Sequence, residues 1–324
     1  VGAAHGSAQL AARPGPDLDP VGPLPIHGIN GRVTDQEGAT GKDLDGAASP
    51  DEAAGIRGGQ ARGVGAHLDG WLALGHDPPE FVPGQGDQAL AARRLGAEVS
   101  MIARTGEGPN RDAALALLRE DGVDLSGVMA CPDDQTGVAL IAVDKAGENQ
   151  IVVASGANAT LSPEDVNIEG HPDAILCQLE VPTTCVMAAL RAGSGLFAVN
   201  LAPAGPVPIE LLEVADLLIV NEGEAAFYGE GLHRGGGMVA LTLGAEGAVL
   251  YRAGKEVARA AAFTVPVIDT TGAGDTFCAA LVLALAEGRE EGEALRFASA
   301  ASALAVTKAG AQPSLPWRED VEAF

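Results

Sequence analysis

The sequence predicts an α/β fold, a parallel or mostly parallel sheet with helices on both faces, and two observations carry that prediction. From Gln88 onward, short apolar runs alternate with helical stretches in β-α-β-α order, the pattern of strands joined by crossover helices. Hydrophobic residues make up 47% of the 324-residue chain while aromatics supply only 3%, so a sizeable core must be built from Ala, Leu and Val. A chain of this length fits one α/β unit with a small appendage.

Residues 1 to 87 stand apart. They are dense in Gly, Pro, Asp and Ala, and their apolar residues fall singly, with neither a strand nor a helix period sustained. Such a segment buries too little apolar surface to offset chain ordering. We expect 1–87 to be poorly ordered or corrupted and 88–324 to form the folded domain.

Within that domain, Gln88-Ala89-Leu90-Ala91-Ala92-Arg93-Arg94-Leu95-Gly96 reads as a helix ended by glycine. Residues 98–103 read as the next strand and 111–120 as a second helix. Residues 136–143 and 150–153 read as a hairpin, too polar for a central strand pair, so the span 136–154 should project as a flap. Strand 174–178, helix 183–191, and strands 196–200 and 217–220 follow. The stretch from Gly223 to Val239 looks too short for another helix, and Gly235-Gly236-Gly237 suggests a bare loop. Strands 239–243 and 248–251 come next, and helices 273–286 and 293–308 close the chain.

Charge narrows the function classes. With 20 basic and 44 acidic residues the formal net charge is -24, which repels polyanions and leaves few cations to displace their counterions. Nucleic acid and anionic membrane surfaces are therefore poor partners. Cys131, Cys177, Cys185 and Cys278 lack C-x-x-C spacing, as expected of buried thiols rather than disulfides or zinc ligands. No apolar run approaches the ~20 residues of a membrane helix, and no signal peptide is evident. These features predict a soluble cytoplasmic protein.

The string Asp269-Thr270-Thr271-Gly272-Ala273-Gly274-Asp275-Thr276-Phe277 carries the most chemistry. Small residues precede an apolar helical run that Gly288 ends, so the amides at 272–275 become the unpaired donors of a helix start. Glycine lets a phosphate approach these donors closely, and the helix dipole favours its charge. Aimed at a transferring phosphoryl group, they form an anion hole. Asp275 stands one residue beyond and is placed to accept a proton from an attacking hydroxyl.

This nine-residue string is similar to the signature of the ribokinase-like, PfkB carbohydrate-kinase family. Ala305-Val306-Thr307-Lys308-Ala309-Gly310-Ala311-Gln312-Pro313-Ser314-Leu315-Pro316-Trp317-Arg318-Glu319 resembles the end of its ribokinase branch. Thr136-Gly137-Val138-Ala139-Leu140 with Gly156-Ala157-Asn158-Ala159 looks like its lid strand and exit. Gln178-Leu179-Glu180-Val181-Pro182 resembles its sugar-contacting segment, and Asn221-Glu222-Gly223-Glu224 matches its N-x-x-E motif. The resemblance runs from Gln88 to Phe324 and implies a three-layer αβα sandwich with a small β lid.

It also implies roles. Asp275 would deprotonate the primary hydroxyl of ribose, with Gly272, Ala273 and Gly274 as the anion hole and Glu180 holding a sugar hydroxyl. ATP would lie along Thr242, Leu243, Gly244, Ala245, Glu246 and Gly247, with Ser299 near adenine. Asn221 and Glu224 would organise Mg²⁺ and phosphate through water. A potassium ion would rest on Asp269, Thr271, Ala305, Lys308, Gly310 and Ser314, an oxygen cage suited to a hard cation. The product would be ribose 5-phosphate, and the lid would mediate a homodimer. Taken alone, Asn221 and Glu224 read more readily as a turn and helix cap after a buried strand than as ligands, and Glu180 reads equally as a solvated strand end.

The N-terminal part departs from the family pattern. No Gly-Ser-x-Asn-x-Asp sugar motif occurs in residues 1–80. A gap-free alignment back from Gln88 puts Gly84 where the family's Gly-Gly-Lys-Gly-Ala-Asn motif has Lys, and Asp87 where it has the closing Asn. Arg111 occupies a usual small position. Each missing hydrogen bond to a sugar in a buried site costs about 1–3 kcal/mol. One core strand and half the lid would be missing, and with them the dimer. An out-of-frame translation fused to an intact body would explain the break, and sequencing the encoding DNA tests it. A kinase for another sugar or a nucleoside, and a catalytically defective chain, therefore stay open beside the ribose reading.

Overall fold

The computed structural model describes residues 64–66, 85–143 and 149–324. The rest of the expectation for 1–87 lies outside the described residues, as does the turn at 144–148. Strand β1 (Val64–Ala66) pairs antiparallel with a lid strand, so the lid has three strands, β1-β4-β5.

Helix α1 (Gln85–Arg94) is closed by Gly96 at φ 103, whose amide donates to the Arg93 carbonyl at 3.0 Å. Next come β2 (Ser100–Thr105), α2 (Pro109–Glu120) and β3 (Asp124–Ala130). Pro109 opens α2 because a missing amide costs nothing in a first turn. The lid pair β4 (Thr136–Val143) and β5 (Asn149–Gly156) is antiparallel. Then follow β6 (Ala174–Gln178), α3 (Thr183–Ala192), β7 (Leu196–Asn200), α4 (Ile209–Val214), β8 (Leu217–Asn221) and α5 (Glu222–Tyr228). Strands β9 (Met238–Thr242), β10 (Ala248–Arg252) and β11 (Lys255–Ala260) precede α6 (Ala273–Ala286), α7 (Glu291–Ala305), α8 (Ala311–Ser314) and α9 (Arg318–Ala323). Gly288, at φ 79, ends α6: its amide reaches the Leu285 carbonyl and that of Arg289 the Ala284 carbonyl, both at 3.0 Å, a Schellman stop.

The main sheet runs β11-β10-β9-β8-β7-β6, parallel from β6 to β9 and antiparallel beyond. Alternation on β8 explains the three layers. Leu217 and Ile219 pack with Phe277, Leu281, Leu295 and Ala298 of α6 and α7. Leu218 and Val220 pack on the opposite face with Val186 and Met187 of α3 and Leu211 and Leu212 of α4. A strand buried on both faces reads as a continuous apolar run, as β8 does. The parallel pair β2–β3 forms a separate ladder among the described residues and packs Met101, Ala103 and Val128 with Leu90, Leu115, Leu118 and Ala279.

Two expectations need correction. The span 223–239 is not a bare loop: α5 and a 3-10 turn at Gly229–His233 occupy it. A reciprocal cap between Asn221 and Glu224 starts the helix directly at the strand end, so seven residues suffice. Helix α7 stops at Ala305 rather than 308, where the Thr307 amide turns back to the Leu304 carbonyl at 3.1 Å. Smaller shifts place β2 at 100–105 instead of 98–103. Arg111 is accommodated by spanning the β2–β3 pair, donating to the Thr105 hydroxyl and, at 3.3 Å, to the Val128 carbonyl.

Candidate active site

The parallel register sets Gln178 opposite Asn200 and Asn221 opposite Thr242, so polar residues line the carboxyl edge of β6 to β9. Open parallel sheets bind ligands at that edge. Glu180 follows two residues beyond β6.

At the start of α6, Gly272 is the cap residue, in the left-handed conformation at φ 78 that glycine adopts without strain. The first helical bond is Thr276 N–H to the Gly272 carbonyl at 2.9 Å, so the amides of Ala273, Gly274 and Asp275 all precede it. Ala273 donates to the Thr270 carbonyl at a long 3.3 Å. Gly274 is exposed, and a Cβ there would meet nothing within 4 Å. This open space against a helix start fits a phosphate group. The preceding loop is braced by Asp269. Its Oδ1 accepts from the Thr271 amide at 3.0 Å and hydroxyl at 2.7 Å, and its Oδ2 from the Gly310 amide at 3.0 Å.

Helix α1 delivers Gln88, which the sequence did not mark as functional, and Asp87, which the alignment sets at the closing Asn of the family's sugar motif. Gln88, 5% exposed, donates from Nε2 to Oδ1 of Asp275 at 3.0 Å. Asp87, 1% exposed, has an Oδ1 buried without a hydrogen-bond partner. Burial, and then the negative charge of Asp275, hold the Asp87 carboxyl well above the usual carboxylate range; Gln312 works against this and Glu180 adds to it. The same electrostatics place Glu224 nearby: burial raises the Cys278 thiol, and both Asp275 and Glu224 push it further. Asp87, Glu180, Glu224 and Asp275 thus converge on the same end of the sheet. Arg94 seats α1 there, paired with Asp121 at 2.7 Å and donating to the Gln312 and Leu315 carbonyls at 2.7 and 3.0 Å.

The other predicted residues are distributed around this centre. Asn221 and Glu224 cap α5: the Glu224 carboxylate accepts from the Asn221 amide at 2.8 Å and side chain at 3.0 Å, and Asn221 Oδ1 accepts from the Glu224 amide at 2.9 Å. Burial raises the Glu224 pKa. Thr242 ends β9, and Leu243 to Gly247 form a tight exposed turn closed by Leu243 N–H to the Gly247 carbonyl at 2.8 Å. Gly247, at φ 96, admits no side chain, since a Cβ would lie 2.1 Å from the Ala260 carbonyl oxygen. Ser299 is buried and turns its hydroxyl onto Leu295 of its own helix at 2.9 Å.

For a cation, Asp269, Thr271 and Gly310 are joined by the bonds above, and Lys308 and Ser314 line one hollow with Thr307 and Asp320. Ala305 closes α7 beside Val306, whose carbonyl accepts from Ile268 at 2.8 Å. Among the described residues no cluster of three His, Cys, Asp or Glu side chains is arranged to hold a metal ion. A donor set of one carboxylate with hydroxyl and backbone oxygens fits a hard monovalent ion rather than a transition metal. The four cysteines are free, and burial pushes Cys177 up to about 12. No helix among the described residues is long and apolar enough to cross a membrane.

A helix start open to an anion, with a carboxylate in its first turn and polar strand ends beside it, is the arrangement of a phosphoryl-transfer enzyme. The sequence matches the model of the pfkB family of carbohydrate kinases over residues 84–318. It is 37% identical over 264 residues to a ribokinase of Haemophilus influenzae, covering 74% of this chain and 85% of that one. The fold is similar to a ribokinase from Thermotoga maritima, with a TM-score of 0.66 and 31% identity over 73% of this chain and 84% of the other. It is also similar to an Arabidopsis thaliana ribokinase solved with ribose and ATP, with a TM-score of 0.63 and 28% identity over 74% and 85%. The chain belongs to the pfkB family of carbohydrate kinases, and it is a sugar kinase, a phosphotransferase, with a ribokinase-like α/β fold.

Proposed function

We propose that this sugar kinase transfers the terminal phosphoryl group of ATP to the 5-hydroxyl of D-ribose, giving D-ribose 5-phosphate. The observation that carries the reading is Asp275 in the first turn of α6, beside an open glycine and gripped by Gln88 from another helix. Gln88 fixes Oδ1, which turns the other carboxylate oxygen toward the hydroxyl whose proton it accepts. The amides of Gly272, Ala273 and Gly274 take up charge on the moving phosphoryl group. Glu180 orients a second sugar hydroxyl.

Thr242 to Gly247 support the nucleotide, with Ser299 behind the adenine. Asn221 and Glu224, locked together as a cap, hold the water shell of Mg²⁺, and Asp269, Thr271, Ala305, Lys308, Gly310 and Ser314 hold K⁺. When bound, these two cations supply positive charge that offsets the phosphate oxygens. We assign the chemistry to residues 88–324 with 136–154 as the lid, in a cytoplasmic setting where free thiols persist. The relative solved with ribose and ATP supports both substrates.

One observation favours a second acceptor reading. Asp87 stands in the acceptor region as a buried acid, which supports testing other pentoses, hexoses and nucleosides beside ribose. The test is ADP release with Mg²⁺ and K⁺ across that panel, for the parent and for Asp275→Ala. Ribose-dependent turnover that falls by about 10²–10⁴ in the variant is expected for a lost general base. Measurable ATP binding without turnover of any acceptor refutes the kinase assignment to ribose and leaves a nucleotide-binding chain.

A further inference from the structure

Arg94, at the end of α1, is only 9% exposed, and its ion pair with Asp121 occupies just part of its guanidinium. Nε donates to Asp121 at 2.7 Å, while Nη1 donates to two backbone carbonyls of another element, Gln312 at 2.7 Å and Leu315 at 3.0 Å. The guanidinium also lies over the Trp317 ring, 5.3 Å from its centroid. A buried ion pair can often be replaced by apolar side chains with little loss, so stability alone does not account for a guanidinium here. What sets this one apart is the element that its second nitrogen holds.

Those carbonyls belong to α8 and its closing residue. Helix α8 has four residues, and the Leu315 amide reaches the Gln312 carbonyl only at 3.4 Å. So short a helix does not sustain itself, and its place is set by what grips it. On its other side α8 bears on the loop that opens α6. A Cβ on Gly272 would lie 3.3 Å from that of Ala311, and the Gly310 amide donates to Asp269 at 3.0 Å. Along α1, Gln88 donates to Asp275 at 3.0 Å. One guanidinium therefore joins the helix that steadies Asp275 to the turn that backs Gly272.

We propose that Arg94 is a positioning residue for phosphoryl transfer: by fixing α1 to α8 it keeps the Asp275 carboxylate in register with the amides at 272–274. The inference rests on the base and anion hole of the proposed function, and it adds the residue that holds the two together. The planar fork suits this role, because separate nitrogens reach Asp121 and α8 at once. Loss of the grip lets α8 shift against Gly272, and small misplacements of reacting groups are costly in rate.

Two variants of the full chain test this, Arg94→Met and Asp121→Asn. The second removes the charge partner of Nε and leaves both carbonyl contacts with α8 in place. ADP release with saturating ribose and ATP is measured well below the melting temperature of each protein. In Arg94→Met kcat should fall about ten- to a hundredfold while the KM for ATP stays within about twofold of the parent. In Asp121→Asn kcat should stay within about threefold of the parent, whatever its loss in melting temperature. Amide hydrogen exchange reads the register without turnover: segments 269–277 and 310–316 should exchange about tenfold faster in Arg94→Met and at the parent's rate in Asp121→Asn. A kcat that follows melting temperature in both variants, a kcat of Arg94→Met within about twofold of the parent, or unchanged exchange in both segments each overturns the proposal. If the parent turns over no acceptor but the exchange pattern appears, the proposed function fails and the register held by Arg94 stands. Ribose turnover in the parent with unchanged exchange in Arg94→Met overturns the Arg94 assignment and leaves the proposed function standing.

Discussion

Gln88 reaches across 187 residues of sequence to hold the carboxylate of Asp275, and replacing it by Met tests whether that grip matters. Met matches the length of Gln and fills the same buried space at the end of α1, but it cannot donate to Oδ1. A hydrogen bond to an ionised acceptor contributes about 1.5–3 kcal/mol net. If the bond sets the orientation of the base, most of that amount appears in the barrier, a fall in kcat of roughly ten- to a hundredfold. The KM for ATP should move little, because Gln88 faces the base and not the nucleotide turn at Gly244. Steady-state ADP release, with thermal melting to confirm the fold, measures both. Rescue distinguishes positioning from packing: Gln88→His, which retains a ring N–H donor, should recover part of kcat, whereas Gln88→Leu should not. A kcat of Gln88→Met within twofold of the parent would refute the reasoning, since it would mean the base needs no partner from α1.

Three further outcomes follow from the same geometry. Gly274→Ala should leave melting unchanged or slightly raised, because the added methyl meets nothing within 4 Å and Ala favours helix by up to ~1 kcal/mol; ADP release should nonetheless drop more than about tenfold, because the methyl stands where phosphoryl oxygens must dock. Asp87 should make the protein lose stability as pH rises: its folded pKa is raised, so the folded state holds the extra proton in the window between the ordinary carboxylate value and the raised one, and stability falls there by up to about 1.4 kcal/mol per pH unit. Urea midpoints across pH should show this slope in the parent and its loss in Asp87→Asn. Arg94→Met removes one partner of a nearly buried pair, together with two carbonyl contacts, and should destabilise by about 3 kcal/mol, roughly 6–12 °C in Tm by calorimetry.

The parts of the fold that are legible in the sequence are those encoded locally. Helix α6 can be read with its observed bounds because a small-residue loop, an apolar run and a stopping glycine all lie within twenty neighbouring positions. β8, buried on both faces, announces itself as Leu217-Leu218-Ile219-Val220. By contrast β11, with Lys255, Glu256 and Arg259, carries no strand signal of its own; it is a strand because β10 offers it an antiparallel partner. Helix α5 is hidden by the glycines after it, although its cue, an Asn followed three residues later by Glu, reads on its own as the helix cap that the structure forms. The structure shows those two side chains bonded to each other, which makes the pair a rigid platform at the strand end.

The acceptor side of the site is harder to read, and the reason lies in how α1 is built. Its buried side chains are Asp87, Gln88, Leu90, Ala91 and Arg94, with Leu95 just beyond its end, so two charged residues and an amide interrupt the apolar face. Such a violation signals function or a paired charge, and here each end supplies one: Arg94 is matched by Asp121, while among the described residues the groups that act on Asp87 are two other acids and an amide. Sequence separation conceals this, because the matching groups lie on α2, α6, α8 and the turn after β6. The phosphoryl side, in contrast, is short-range, with Asp269 bracing its own loop through Thr271 and reaching only as far as Gly310. A family signature can therefore carry the transfer chemistry in nine consecutive residues, whereas the acceptor side is assembled from α1, α6, α8 and the turn after β6, which no single stretch of sequence contains.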